Sequence, residues 1–119
     1  MTSNILIVGG DGLIGGALAP HLEAAAHDVV VTSRGRRVNG RIKLDLDAEP
    51  GSWDQIPEVD AAVICAAMTS LVGCMKDPAA SRRVNVEGTL ALTRALVARG
   101  VFPVFLSSTL VFDGTAPRI

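Results

Sequence analysis

Four β-forming residues, Ile5 to Val8, run directly into a turn in which Gly9, Gly12 and Gly15 recur at intervals of three. A strand needs glycines at such a spacing when its chain must turn closely around a diphosphate. Gly9 can adopt a positive φ, Gly12 allows close backbone approach, and Gly15 lets the following helix lie on the strand. The amides and the dipole at the start of that helix would face the anion. The stretch therefore predicts a phosphate site built mostly from backbone.

The glycine spacing has more than one interpretation. Gly10-x-Gly12-x-x-Gly15 fits the commoner dinucleotide fingerprint and would suit a flavin-binding half of an oxidoreductase, whereas Gly9-x-x-Gly12-x-x-Gly15 fits a different one. A tight strand-to-helix connection without a ligand would use glycines as well. The choice depends on the rest of the chain.

The segment after the predicted second strand, residues 28–33, carries the charges that bear on the cofactor. Ser33 is followed by a run of basic residues: Arg34, Arg36, Arg37, Arg41 and Lys43. NAD-binding sheets have an acidic residue near this point, which accepts hydrogen bonds from the ribose hydroxyls. A carboxylate would repel the 2′-phosphate of NADP, whereas a guanidinium binds it through two hydrogen bonds. The segment therefore predicts NADP, with NAD possible, and weakens the flavin interpretation; a solvated basic loop is the alternative.

Composition excludes several classes of protein. The chain has 119 residues, predicting one domain over 1–119, and its net charge of −1 argues against a nucleic-acid partner. Cys65 and Cys74 lack metal-ligand spacing and the density of a secreted scaffold, so we expect no metal and reduced thiols in a cytoplasmic protein. The start of the chain lacks the features of a signal peptide, and the apolar run after it is too short to span a membrane, so we expect no membrane partner.

The predicted elements alternate between strand and helix. Helices are predicted at 13–26 and 78–99, and Cys74 is placed in a loop between elements. Strands are predicted at 5–8, 28–33, 41–44, 60–67 and from 102 to 107 or 108. This alternation predicts right-handed crossovers and an α/β, doubly wound parallel sheet in the order 3-2-1-4-5. The candidate residues would then lie at the carboxyl ends of strands, where such sheets bind ligands.

Helical periodicity predicts which residues each helix buries. One face of the first helix carries Ile14, Ala17, Leu18, Leu22 and Ala25. One face of the long helix carries Val84, Gly88, Ala91, Leu92, Ala95 and Leu96, and a second, narrower stripe carries Val86, Leu90 and Val97. The stripe must meet further chain or another subunit, which predicts a possible homodimer through the 78–99 helix.

Four stretches in order carry a resemblance to a known family. They are Gly9-x-x-Gly12-x-x-Gly15, Cys65-Ala66-Ala67 with Met68-Thr69, Asn85-Val86-Glu87-Gly88-Thr89, and Ser107-Ser108-Thr109-Leu110-Val111-Phe112-Asp113-Gly114. The chain resembles the N-terminal, cofactor-binding part of an extended short-chain dehydrogenase/reductase of the NAD-dependent epimerase/dehydratase family, in particular its sugar-nucleotide reductases similar to dTDP-4-dehydrorhamnose reductase. The resemblance implies a Rossmann-like sheet, incomplete relative to the full family domain, and favours the glycine motif that begins at Gly9.

Family roles carry over by position. The resemblance implies that the pyrophosphate is surrounded by the turn residues Gly9, Gly12, Leu13 and Ile14, with Gly15 completing the motif. Ser33 and Arg34 would meet the adenosine ribose or its 2′-phosphate, and Asp45 and Leu46 would flank the adenine. Ala66 and Ala67 would line the nicotinamide-side ribose, and Asn85 corresponds to the family's asparagine in the long helix. Ser108 corresponds to the catalytic hydroxyl that hydrogen-bonds the carbonyl of a nucleotide sugar or similar substrate.

The chain also departs from the family pattern. The family's proton donor is the tyrosine of a Tyr-x-x-x-Lys pair, but this chain has no tyrosine, and Lys43 and Lys76 lie in no such motif. Leu110 stands where the reductases usually have tyrosine, and Thr109 where they often have aspartate. Two expectations follow: a piece of a longer reductase or epimerase, which the early stop after the fifth strand favours, or a short, non-catalytic NAD(P)-binding module for regulation or subunit interaction.

Overall fold

A computed structural model describes residues 2–34, 41–47, 53, 55–65, 71–107 and 114–115. Its strands form one parallel sheet in the order β3-β2-β1-β4-β5, which confirms the predicted order. The strands are β1 (Asn4–Val8), β2 (Asp28–Ser33), β3 (Arg41–Lys43), β4 (Ala61–Ile64) and β5 (Phe102–Phe105). β5 is shorter than predicted because β4, its partner among the described strands, ends at Ile64, which pairs with Phe105.

The core lies on both faces of β1, the central strand. Leu6 and Val8 point into a cluster that includes Leu92 and Leu96 on one side of the sheet. Ile7, which is also fully buried, points to the opposite side because successive side chains of a strand alternate between faces. β1 is therefore covered by helices on both sides, as its unbroken apolar sequence requires.

The first helix, α1 (Leu13–Ala24), buries a different face from the one predicted. Its buried residues are Gly15 and Ala19, Leu18 and Leu22 are half-buried, and Ile14, Ala17 and Ala25 are exposed. The prediction was wrong because it followed large apolar residues, whereas this helix lies so close to the preceding turn that only small residues fit at the contact. Ala26, at φ 68°, ends the helix in the left-handed conformation that glycine usually supplies.

The second helical region is more divided than predicted. A short helix, α2 (Leu71–Lys76), contains Cys74, so the loop assignment of that cysteine was wrong. After it, α3 (Pro78–Ser81) begins where the carboxylate of Asp77 accepts a hydrogen bond from the Ala80 amide at 3.0 Å. The chain continues as a π-helical segment (Arg82–Gly88) and then as α4 (Thr89–Ala98). Gly100, at φ 78°, stops the helix as predicted.

The predicted faces of α4 are mostly confirmed. Gly88, Leu92 and Leu96 are buried along one i, i+4 row, and Val84 and Ala91 are half-buried beside it. Ala95 is exposed, contrary to prediction, because it lies to one side of that row and the contact with the sheet is narrow. The second stripe is exposed as expected, with Val86, Leu90 and Val97 at 49%, 46% and 55%. Among the described helices, none is long and apolar enough to cross a membrane.

Candidate functional site

A cavity of about 340 Å³ opens at the carboxyl edge of the sheet, where the strand order reverses on either side of β1. Parallel sheets of this class bind ligands at such a reversal. The structure brings these predicted site residues together in its lining: Gly9, Gly12, Leu13, Ile14, Arg34, Asp45 and Leu46. They come from the glycine-rich turn, the end of β2 and the segment after β3, so distant parts of the sequence meet in one place.

The glycine-rich turn is anchored on β2. Gly9 has φ 91°, and its amide donates to the Thr32 hydroxyl at 3.1 Å. The Gly10 amide donates to the Thr32 carbonyl at 2.8 Å, so the turn is held against the neighbouring strand at two successive residues. A Cβ on Gly15 would overlap the Gly9 carbonyl oxygen and lie 3.0 Å from the Gly9 carbonyl carbon. The turn is therefore held by Thr32, and its contact with α1 at position 15 tolerates only glycine.

The start of α1 lines the cavity through Gly12, Leu13 and Ile14. Gly12 precedes the helix in an extended conformation, and no side chain forms a capping hydrogen bond there. An anion at this point would accept from helix amides that have no acceptor within the helix and would interact favourably with its dipole. Leu13 and Ile14 are 93% and 57% exposed at the same edge, an unusual exposure for large apolar side chains.

The end of β2 holds an arrangement that the sequence did not indicate. Arg34 is exposed and lines the cavity, but Ser33 is only 1% exposed and donates its hydroxyl to Asp11 Oδ2 at 2.5 Å. Asp11 Oδ1 also forms an ion pair with Arg41 Nη1. Asp11 lines the cavity and was missed; an acidic residue inside the glycine turn, opposite a basic segment, is the signal that could have identified it.

The opposite wall is formed by the segment after β3. Asp45 turns the chain by accepting the Asp47 amide on its carboxylate at 3.0 Å, and its carbonyl accepts from Trp53 Nε1 at 3.4 Å. Leu46 is buried, and its carbonyl lies against Gly88, where a Cβ would overlap it. The wall is therefore backed by the π-helical segment.

A hydrogen bond joins that wall to the same segment at a second point. Arg83 Nε donates to Asp47 Oδ1 at 2.9 Å, and this hydrogen bond, with the charge of the carboxylate, raises the pKa of Arg83. Both side chains are about half exposed, so the pair contributes little to stability in salt.

Cys65 also lines the cavity and was not predicted as a site residue. Its amide donates to the Val8 carbonyl at 2.8 Å, which continues the β1–β4 pairing one residue beyond β4. Burial raises the pKa of the Cys65 thiol, so it remains protonated at neutral pH. Its place at the end of a buried strand is the signal that could have identified it.

Asn85 is not among the described residues that line the cavity. Its side-chain amide donates to Ser81 Oγ at 3.4 Å and lies 4.0 Å from Cys74 Sγ, within the helical region itself. Val84, one residue earlier, reaches the cavity instead. Ala66, Ala67 and Ser108 lie outside the described residues, so their roles stay predictions.

The fold and the position of the cavity agree with the protein family that the sequence matches. Residues 5–119 match the NAD dependent epimerase/dehydratase family. The chain belongs to this family. A curated relative, the GDP-6-deoxy-D-mannose reductase of Pseudomonas aeruginosa, is 31% identical over 106 residues, covering 89% of this chain and 33% of that protein.

Two solved structures extend the comparison. RMD from Pseudomonas aeruginosa, complexed with NADPH, is 32% identical with a TM-score of 0.75, covering 98% of this chain and 38% of that one. UDP-glucose-4-epimerase from Stenotrophomonas maltophila, with bound NAD and formylated UDP-arabinopyranose, is 25% identical with a TM-score of 0.78, covering 95% and 40%. The chain thus spans between a third and two fifths of the length of these relatives.

Proposed function

We propose that this chain is the NADP-binding domain of an extended short-chain dehydrogenase/reductase that acts on a nucleotide sugar or similar carbonyl substrate by hydride transfer. As part of this proposal, residues 1–119 form one cofactor-binding unit, the N-terminal part of a longer protein. The observation that carries it is the single cavity at which the glycine turn, the uncapped start of α1 and Arg34 meet. The relatives that bind NADPH or NAD support a nicotinamide cofactor for this site.

The residues present fit a dinucleotide. Its pyrophosphate would accept hydrogen bonds from the amides after Gly12, where a Cβ-free backbone leaves the approach open. The exposed side chains of Leu13 and Ile14 would lose contact with water against the bound molecule. Asp45 and Leu46 would flank the adenine. These residues would hold the pyrophosphate and adenosine parts of the dinucleotide, whose nicotinamide would supply or accept the hydride.

Arg34 supports NADP as the preferred form. Its side chain follows β2 directly, at the point where an acidic residue would accept the ribose hydroxyls of NAD. A guanidinium there attracts the 2′-phosphate and pairs with two of its oxygens. Since NADH lacks that phosphate, the contact would discriminate between the two cofactors.

Fluorescence titration with NADPH and NADH tests the preference. We expect NADPH to bind at least about tenfold more tightly, which corresponds to about 1.4 kcal/mol. Arg34→Asp should remove that advantage and should leave NADH affinity equal or higher, because an acidic residue at this point can accept hydrogen bonds from the ribose hydroxyls. Arg94→Asp, the same charge change at an exposed position on α4, should leave both affinities unaltered. Equal affinity of the wild-type chain for both nucleotides, or an unchanged preference in Arg34→Asp, would contradict the role of Arg34.

The catalytic part of the proposal concerns Ser108. A hydroxyl that donates to the substrate carbonyl favours the negative charge that builds on oxygen as hydride reaches carbon. The tyrosine that donates the proton in the resembled family would then come from outside this sequence, which has none. Reading the coding sequence past Ile119 tests this: a Tyr-x-x-x-Lys about one helix downstream supports the enzyme. Its absence supports the second candidate, a non-catalytic NAD(P)-binding module for regulation or subunit interaction.

A homodimer through the 78–99 helix completes the proposal. The stripe of Val86, Leu90 and Val97 places three half-exposed aliphatic side chains along one surface of the helical region. Sedimentation should give a dimer for the wild-type chain and a monomer for Leu90→Glu. Val72→Glu, at an exposed aliphatic residue of α2, is the matched control and should remain dimeric. A wild-type monomer, or no change of mass in Leu90→Glu, counts against this interface.

A further inference from the structure

Asp11 lies inside the glycine-rich turn and reaches across the cavity toward the next two strands. Its side chain is 51% exposed and lines the cavity, yet both carboxylate oxygens are engaged. Oδ2 accepts the hydroxyl of Ser33 at the end of β2, and Oδ1 pairs with Arg41 at the start of β3. The only carboxylate in the turn thus stands beside the predicted place of the adenosine ribose.

The groups that Asp11 engages, a hydroxyl and a guanidinium, are of the kinds that donate hydrogen bonds to phosphate oxygens. Ser33 offers a hydroxyl donor, and Arg41 offers a guanidinium whose side chain is 28% exposed. Asp11 accepts from the Ser33 hydroxyl and from Nη1 of Arg41, and it offsets one of the two positive charges that Arg34 and Arg41 bring to this corner. A phosphate monoester carries about −1.5 to −2 charges at neutral pH, so it would be repelled by the carboxylate it must displace or approach.

A ribose hydroxyl, in contrast, would be attracted by the Asp11 carboxylate. It is uncharged and can donate a hydrogen bond to the exposed side of the carboxylate. NAD-binding sheets take this acceptor from an acidic residue at the end of the second strand. Here that strand ends at Ser33 and is followed by Arg34, and the acidic residue at this corner, Asp11, belongs to the neighbouring turn.

We propose, resting on the cofactor site proposed above, that Asp11 sets how strongly the site discriminates between NADP and NAD. Its carboxylate accepts the adenosine 2′-hydroxyl of NAD and opposes the 2′-phosphate of NADP. Arg34 and Asp11 then act in opposite directions, and the wild-type preference for NADP is smaller than the arginine alone would give.

The test compares NADPH and NADH affinities of Asp11→Ser with those of the wild-type chain. The shorter hydroxyl removes the charge and frees Arg41, so NADPH should bind about tenfold more tightly, while NADH should bind equally or more weakly. Asp11→Glu keeps the charge and should keep the affinity ratio within about twofold of wild type. Glu23→Gln removes an acidic charge from an exposed position on α1 and should change neither affinity.

The outcomes separate the two proposals. If the wild-type chain binds neither nucleotide, the cofactor site itself is wrong, and the role of Asp11 falls with it. If the wild-type chain binds both and Asp11→Ser leaves the ratio unchanged or shifts it toward NADH, the role of Asp11 is refuted while the site stands. Thermal unfolding of each variant checks the fold, and Asp11→Ala provides the same comparison if Asp11→Ser does not fold.

Discussion

Gly15→Ala tests the closest contact of the fold, that between α1 and the glycine turn. A Cβ at position 15 would overlap the Gly9 carbonyl oxygen, lie 3.0 Å from the Gly9 carbonyl carbon and lie 3.3 Å from Gly10 Cα. All three are backbone atoms, so no side chain can rotate to make room. Either the helix must move away from β1, or the turn held by Thr32 must shift.

Gly16→Ala is the matched control for the size of this effect. The same Cβ at position 16 would lie 3.3 Å from the Gly10 carbonyl oxygen, a tight contact that a small adjustment relieves. Both substitutions gain the same helix propensity of about 1 kcal/mol, which therefore cancels in their difference. What remains is the cost of overpacking, about 1–3 kcal/mol, with the upper end expected because the overlapped atoms are backbone.

Thermal unfolding followed by circular dichroism measures that difference. For a domain of this size, about 1 kcal/mol corresponds to roughly 4 °C in Tm, so Gly15→Ala should unfold about 8–12 °C below Gly16→Ala. Gly16→Ala itself should equal or exceed the wild-type chain. If the two variants unfold within about 2 °C of each other, α1 does not lie at this distance from the turn.

Three further predictions concern other parts of the fold. Gly88→Ala should lower Tm by an amount comparable to Gly15→Ala. Its Cβ would overlap the Leu46 carbonyl oxygen and lie 3.0 Å from the Arg83 carbonyl oxygen. An unchanged Tm would contradict that contact. Ala26→Gly should stabilise by up to about 1 kcal/mol in urea unfolding because it relieves a left-handed alanine, and a lower midpoint would refute this. Alkylation of Cys65, followed by mass spectrometry, should be slow at neutral pH, and its rate should rise only above the usual thiol range because burial raises the pKa of the thiol. NADPH should protect Cys65 from alkylation. Fast labelling at pH 7 would argue against its burial.

The sheet order could be predicted because apolar runs and helical periodicity alternate along the chain with clear glycine boundaries. β2 was placed at its observed bounds, since a run of β-branched residues is flanked by polar ones on both sides. The end of β5 could not be placed, because a strand ends where its partner ends, and the sequence of β5 does not specify where β4 ends.

The contact face of α1 and the role of Asp11 could not be predicted for a related reason. Gly15 and Ala19 carry no strong hydrophobic signal, so periodicity pointed to larger residues that the structure leaves exposed or half-buried. The proposed role of Asp11 depends on its contacts with Ser33 and Arg41, which lie 22 and 30 residues away in the sequence. Such pairings depend on the register between the turn, β2 and β3, which sequence spacing does not specify.

One wall of the cavity is supported by contacts with residues that do not line the cavity. Leu46 keeps its place because Gly88 allows the π-helical segment to approach its carbonyl, and Asp47 is tied to Arg83 on the same segment. If the proposed cofactor site is right, a substitution at Gly88 should weaken nucleotide binding even at temperatures where the chain stays folded, because it displaces the segment that backs Leu46. Ile7→Val, which trims the opposite side of the core, should lower stability by about 1 kcal/mol without this loss of affinity. The helical region that carries the exposed stripe thus contacts the backbone of Leu46 in the cavity wall, which links the proposed dimer surface to the proposed site.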